Sequence, residues 1–244
     1  MKRIVAVMLV LLFGFGCKRM PTGQTAATPT KFGVAIVDIG GEKQAASTGA
    51  SLDQPVVAQV NDAQGIAVAG ALVQFSGTGG VRFDPAAGLT GNDGQFSTTV
   101  RLGGEAGLYS LVAGTNDKSG KAVLVRFPEI ALDYQQNLGR ELNEKYCSRC
   151  HNSESSAEKV SNHDNLTVAP HAFSDGATLN PMSHANLIAI IGHGGAALGK
   201  STEMPPYSAT LSANDIEALA AYIRAVADPP YQSNSIQGVF HANP

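Results

Sequence analysis

The hydrophobic period of this 244-residue chain changes once, at Pro128-Glu129-Ile130, and that change decides how it can fold. Before it, apolar residues recur at every second position; after it they recur at helical spacing. A strand buries alternate residues and a helix buries a stripe, so one element type cannot serve both halves. Two folded units are expected, and the length suits two domains of ordinary size. In the first half Val56, Ala58 and Val60 alternate with Val57, Gln59 and Asn61. Ala71, Val73 and Phe75 repeat the pattern against Leu72, Gln74 and Ser76, as do Phe96, Thr98, Val100 and Leu102 against Ser97, Thr99 and Arg101. Tyr109, Leu111 and Ala113, then Val123, Val125 and Phe127, continue it. Clusters of turn residues separate the runs: Asn61 to Gly65, Gly77 to Gly80, Gly91 to Gly94, and Thr115 to Gly120. About seven short strands in about 100 residues predict an all-β antiparallel sandwich over residues 32–131.

The order of these pieces resembles the bacterial Ig-like domain of the invasin and intimin group. The resemblance runs through Gly40-Gly41-Glu42-Lys43-Gln44, the run Pro55 to Phe75, the turn Gly91 to Phe96, and Ala106-Gly107-Leu108-Tyr109. An antibody-type Cys-Trp-Cys core is excluded, because the chain has no Trp and no Cys falls here. The resemblance implies a spacer, docking or adhesive module, and no titratable cluster or aromatic patch marks a ligand site.

Upstream, Lys2 and Arg3 precede an uncharged apolar run from Ile4 to Phe15, too short to span a membrane and suited to a secretory signal. The run stops at Gly16-Cys17, which resembles the lipobox of bacterial lipoproteins, although Gly14 and Phe15 stand where Leu and a small residue are commoner. Residues 1–16 are therefore expected to be a signal peptide. Cys17 is expected to carry a lipid anchor, the alternative being ordinary cleavage with Cys17 incidental. Residues 17–31, rich in Thr, Ala and Pro, are expected to be a flexible tether. The reading places the protein in the bacterial cell envelope, exported and facing the periplasm or the cell surface. A formal charge of -3 and the lack of a Lys/Arg block after the N-terminus argue against nucleic acid as a partner.

In the second half Leu138, Leu142 and Tyr146 share one helical face leading into Cys147-Ser148-Arg149-Cys150-His151. This Cys-x-x-Cys-His run is the attachment signature of c-type haem: two thiols on one helical turn add across the haem vinyl groups, and the next imidazole faces the iron. A zinc site would need two more ligands from His151, His163, His171, His184 or His193, none of which has paired zinc-finger spacing. A thioredoxin-type dithiol expects a strand-turn-helix before it, and a disulfide across so tight a loop is the poorest reading. A sixth iron ligand is offered by Met204 in Lys200-Ser201-Thr202-Glu203-Met204-Pro205-Pro206-Tyr207, flanked by Pro and charge in place of a periodic apolar face. His193, in Gly192-His193-Gly194-Gly195 after a helix from about His184 to Ile191, is the alternative. His163, His171 and His184 are expected to be solvated. Ser212 with Asp215 forms a capping box, Leu211 can staple onto Ile216, and Ile216, Leu219, Ala220, Ile223 and Val226 form the face of a last helix.

The segment 132–227 resembles the all-α class I cytochromes c along its length, leaving residues 228–244 as a C-terminal tail. Gly139 lies where that family lets its first helix cross closely over its last, and Leu219 and Tyr222 match the facing helix. The resemblance gives His151 the proximal iron position, Met204 the distal one, and Cys147 and Cys150 the thioethers of a single covalent haem. Asn143 replaces an aromatic usual in the family, which predicts a looser helix crossing. The family's proline, whose carbonyl orients the proximal imidazole, has no clear counterpart; Pro170 is a candidate.

A haem iron with both axial positions filled has no vacant site for substrate, so electron transfer is expected and catalysis is not. Segment 132–227 carries six Lys/Arg against ten Asp/Glu, which favours basic patches on redox partner proteins of the envelope. The alternatives are a haem-bearing subunit or scaffold of a larger envelope redox complex, and a haem-based small-ligand sensor that would require Met204 to dissociate.

Overall fold

The computed structural model describes residues 31–151 and 162–232. The expected signal peptide, Cys17, the tether as far as residue 30 and the tail from residue 233 lie outside the described residues. The β unit contains β1 (Ala35–Gly40), β2 (Ala45–Ser47), β3 (Val56–Asn61), β4 (Leu72–Ser76), β5 (Arg82–Asp84), β6 (Ala87–Leu89), β7 (Gln95–Arg101), β8 (Gly107–Asn116) and β9 (Ala122–Leu132). They form two sheets, ordered β1-β3-β7-β5 and β2-β9-β8-β4-β6. All pairings are antiparallel except β2 with β9, where Ala45 stands opposite Ile130.

The inward set is the one that period two selects. Val56, Ala58 and Val60 of one sheet meet Val73, Phe75, Leu111, Ala113 and Phe127 of the other in a single apolar core. Phe75 is its hub, with the rings of Phe83, Phe96 and Phe127 at 5.9, 6.1 and 6.2 Å. The expected turn at Asp62 is held by its carboxylate, whose Oδ1 accepts from the backbone N–H of Gln64 and Ile66.

β9 runs through Leu132 without a break at Pro128, and only Asp133 separates it from α1 (Tyr134–Tyr146). Asp133 starts that helix with a capping box: its side chain accepts from Gln136 N–H, and Gln136 accepts from Asp133 N–H. The helical unit continues with α2 (Ser148–His151), α3 (Gly176–Leu179), α4 (His184–His193) and α5 (Ala213–Ala225). Ser212 caps α5 in the expected box with Asp215. Leu211, Ile216, Leu219, Ala220 and Ile223 join Leu187 and Ile191 of α4 in a second core, whereas Val226 is only half-buried. No helix among the described residues is long and apolar enough to cross a membrane.

The two units touch. Arg140 Nη1 of α1 donates to the Ala45 carbonyl of β2 at 2.9 Å, and Ser47 Oγ donates to Asn137 Oδ1 at 2.8 Å. Lys43 Nζ stands 3.7 Å from Asp228.

Period two also carries Glu129, between Phe127 and Ala131, into the sandwich interior, where it is fully buried. Gln44 N–H donates to its Oε2 at 2.8 Å, while Oε1 has no hydrogen-bond partner. Burial pushes this carboxyl from 4.5 up to about 8, with the charge of Glu42 adding to the rise and the Gln44 bond opposing it. The folded protein thus holds a proton that the unfolded chain releases between pH 4.5 and about 8. Stability should fall as pH rises through that window, by up to a few kcal/mol, and level off above it. Glu129→Gln keeps an acceptor for Gln44 and should remove the slope, so its advantage over the parent in urea unfolding should grow between pH 5 and pH 9. An advantage independent of pH would mean that the folded protein holds Glu129 ionised.

Candidate haem-binding site

Gly139 is where α1 lies across α5. A Cβ there would collide with the Ala218 carbonyl and press on Tyr222 Cβ, so the two backbones can meet only over glycine. One turn on, Asn143 is buried near the Tyr222 phenol, and its Oδ1 has no hydrogen-bond partner. The crossing is therefore tight at Gly139, against the expectation drawn from Asn143, because the approach is set by the missing Cβ at position 139. Asn143 and Gly139 are the buried residues of α1, with Leu142 and Tyr146 half-buried against the core. Cys147 follows as the C-cap, its N–H donating to the Asn143 carbonyl at 2.9 Å.

The chain then turns at once. Cys150 and His151 N–H both donate to the Cys147 carbonyl at 3.0 Å, which brings the two sulfurs and the imidazole to one side. Cys147, Cys150, His151 and Met204 line one cavity of about 330 Å³. Its walls include Leu187, Ile190 and Ile191 of α4, Leu219 and Ile223 of α5, and Phe173. His193, the last residue of α4, is exposed and is not among the residues lining it. Cys147 and Cys150 are free thiols. Burial pushes the Cys147 thiol up to about 12, with Cys150 adding to the shift.

His151 Nδ1 lies 2.8 Å from the His171 carbonyl, which can only accept, so Nδ1 carries the proton and Nε2 keeps its lone pair. The acceptor is thus the residue after Pro170. The Pro170 carbonyl instead lies 3.3 Å from His163 Nε2. Burial drives the His151 pKa down, the bond to His171 opposing, which favours the neutral imidazole that a metal requires. The Phe173 ring packs 4.5 Å from the imidazole. The other histidines expected to be solvated have partners: His171 meets Asp175 at 3.0 Å and His184 meets Glu217 at 2.9 Å, both from exposed positions.

The loop that carries Met204 to the same cavity is pinned by its main chain. Gly195 N–H donates to the Met204 carbonyl at 3.0 Å. Gly194, at φ +82, lets that carbonyl pass where a Cβ would stand 2.8 Å away. Tyr207 N–H donates to the Ile191 carbonyl at 3.2 Å, and its hydroxyl donates to the Tyr146 carbonyl at 3.0 Å, tying the loop to α4 and to the end of α1. Arg224 of α5 donates to the Leu179 and Met182 carbonyls and so fixes another stretch of the wall. Sequence reasoning singled out neither residue; an aromatic or Arg on a backbone carbonyl leaves no spacing pattern to find.

Two free thiols, an imidazole with Nε2 free and a thioether lining one largely apolar cavity fit haem. Residues 135–223 match the family model described as cytochrome C oxidase, cbb3-type, subunit III, so the helical unit is a c-type cytochrome domain, a haem-binding class. The molecule is an all-β sandwich followed by this helical domain. No curated protein matches the chain. Among solved structures, the D00-D0 domain of intimin is similar at 18% identity and TM-score 0.33, over 46% of this chain and 52% of that one. The adhesin InvE of Yersinia pseudotuberculosis is similar at 13% and 0.30, over 41% and 32%. A glycosyl hydrolase family 2 member from Bacteroides cellulosilyticus is similar at 16% and 0.31, over 41% and 15%. The chain spans about half the length of the intimin structure it matches.

The crossing generates a prediction of sign. Glycine to alanine within a helix normally stabilises by about 0.5–1 kcal/mol. Gly139→Ala should instead destabilise the protein by roughly 2–3 kcal/mol and lower the fraction that takes up haem. Gly104→Ala, where the new Cβ meets nothing within 4 Å, serves as the control. Thermal unfolding of both variants checks this, and a more stable Gly139→Ala would refute the close crossing.

Proposed function

We propose that this protein is an envelope electron carrier holding one haem, bound covalently through Cys147 and Cys150, with His151 and Met204 as the two axial ligands. The observation that carries the reading is the convergence of these four residues on one apolar cavity. The haem would supply reversible one-electron chemistry at its iron. The chain's own residues supply the rest. His171 orients the His151 ring through its carbonyl, Gly195 and Tyr207 hold the Met204 loop against it, and the α4 and α5 side chains exclude water. Protein groups fixed by main-chain bonds need little rearrangement when charge changes.

The protein is exported and anchored through lipid on Cys17, facing the periplasm or the cell surface. Its sandwich acts as a spacer or docking module. Acidic excess over segment 132–227 favours partner proteins with basic surfaces, and nucleic acid is not among its partners. A second reading is supported by the family match to an oxidase subunit: the same haem domain serves as one subunit of a larger envelope redox complex.

Mass spectrometry of protein matured in a periplasm competent for haem ligation should show one added haem that survives acid-acetone extraction. An unmodified mass with bound zinc would end this reading. Met204→Ala should keep the haem, lose the weak red-edge absorption of methionine-ligated ferric haem, and bind cyanide readily. His193→Ala should do none of this; the opposite outcome would reassign the ligand. Purification of the native lipoprotein with its neighbours separates a free carrier from a complex subunit.

A further inference from the structure

Glu203 stands immediately before Met204, and its carboxylate reaches a chain segment 36 residues away in sequence. Thr167 N–H donates to Oε1 and Oε2 at 3.2 and 3.1 Å, and Thr167 Oγ1 lies 3.4 Å from Oε1. Ser201 Oγ donates to Oε2 at 3.3 Å and in turn accepts from Glu203 N–H at 3.2 Å. Leu166 and Val168, on either side of Thr167, line the same cavity as Glu203 and Met204. Thr167, Val168 and Glu203 are exposed, so this bridge lies at the cavity's solvent rim.

We infer that Glu203 is a positioning residue: its carboxylate straps the segment Leu166 to Val168, on the His151 side, to the Met204 loop, closing the rim and holding the methionine in place. Met204 is restrained by the Gly195 bond to its own carbonyl, by the Tyr207 bonds further along the loop, and by the Glu203 strap next to it. Without the strap the Gly195 and Tyr207 bonds remain, but the loop loses its tie to the segment around Thr167 and can move further from the cavity. A carboxylate accepting from a backbone N–H makes a charge-assisted bond stronger than a neutral one, although exposure to solvent reduces its effect. The inference rests on the reading of Met204 as an iron ligand.

The test uses the full haem-loaded chain with imidazole as the competing ligand, followed by visible absorption in the ferric state. Glu203→Ala should bind imidazole about fivefold more tightly than the parent, as the loss of an exposed charge-assisted bond implies, and should weaken the red-edge methionine band. Glu203→Gln can still accept from Thr167 N–H and should remain within about twofold of the parent. Equal imidazole affinity in Glu203→Ala and the parent overturns the inference, as does Glu203→Gln behaving like the alanine variant. Amide hydrogen exchange in the unsubstituted protein keeps the test open if a variant fails to load haem: Thr167 N–H should be protected, and free exchange there also overturns it. A parent without the methionine band would defeat the Met204 assignment, while Thr167 exchange would still report on the strap.

Discussion

The helical domain depends on one approach of backbone to backbone, Gly139 over Ala218. With no Cβ between them, α1 lies directly on α5, and the remaining turns of α1 deliver Cys147 to the cavity edge. α5 in turn supplies Leu219 and Ile223 to the cavity wall and Arg224 to the loop beyond it. Any larger residue at 139 would lift α1 and move the cysteine pair away from the wall it must face.

The groups around the cavity are held mostly by main-chain acceptors. His151 is fixed by the His171 carbonyl, Tyr207 by that of Tyr146, and the Met204 loop through its own carbonyl. A backbone carbonyl neither titrates nor changes charge near neutral pH, so these acceptors hold over a wide pH range. The charged side chains that take part, Arg224 and Glu203, act from the wall and the rim.

Much of this was legible in the sequence, for definite reasons. Cys147-Ser148-Arg149-Cys150-His151 carries its chemistry in residue identity, and the long strands β3, β4, β7, β8 and β9 carry period two over enough positions to read. β2, β5 and β6 have three residues each, too few to display a period, and β2 pairs with β9 across 85 positions. The partner of His151 is a carbonyl, which any residue can offer, so a search for proline led to Pro170 and missed its neighbour. Glu129 marked a change of composition, yet β9 continues through it and the alternation of that strand buries the charge. Asn143 suggested slack at the helix crossing, because the close approach at Gly139 one turn earlier depends on tertiary contact with Ala218.

The joint between the two domains has a consequence for how such molecules can be recombined. A strand residue, one capping residue and a helix follow without slack, and Arg140 must then point at β2 to reach Ala45. Inserting a single residue at the joint would turn α1 by about 100° about its axis, carrying Arg140 away from the sheet edge. Grafting this cytochrome onto another sandwich is therefore a matter of phase: the joint can accept new side chains but not a new count of them.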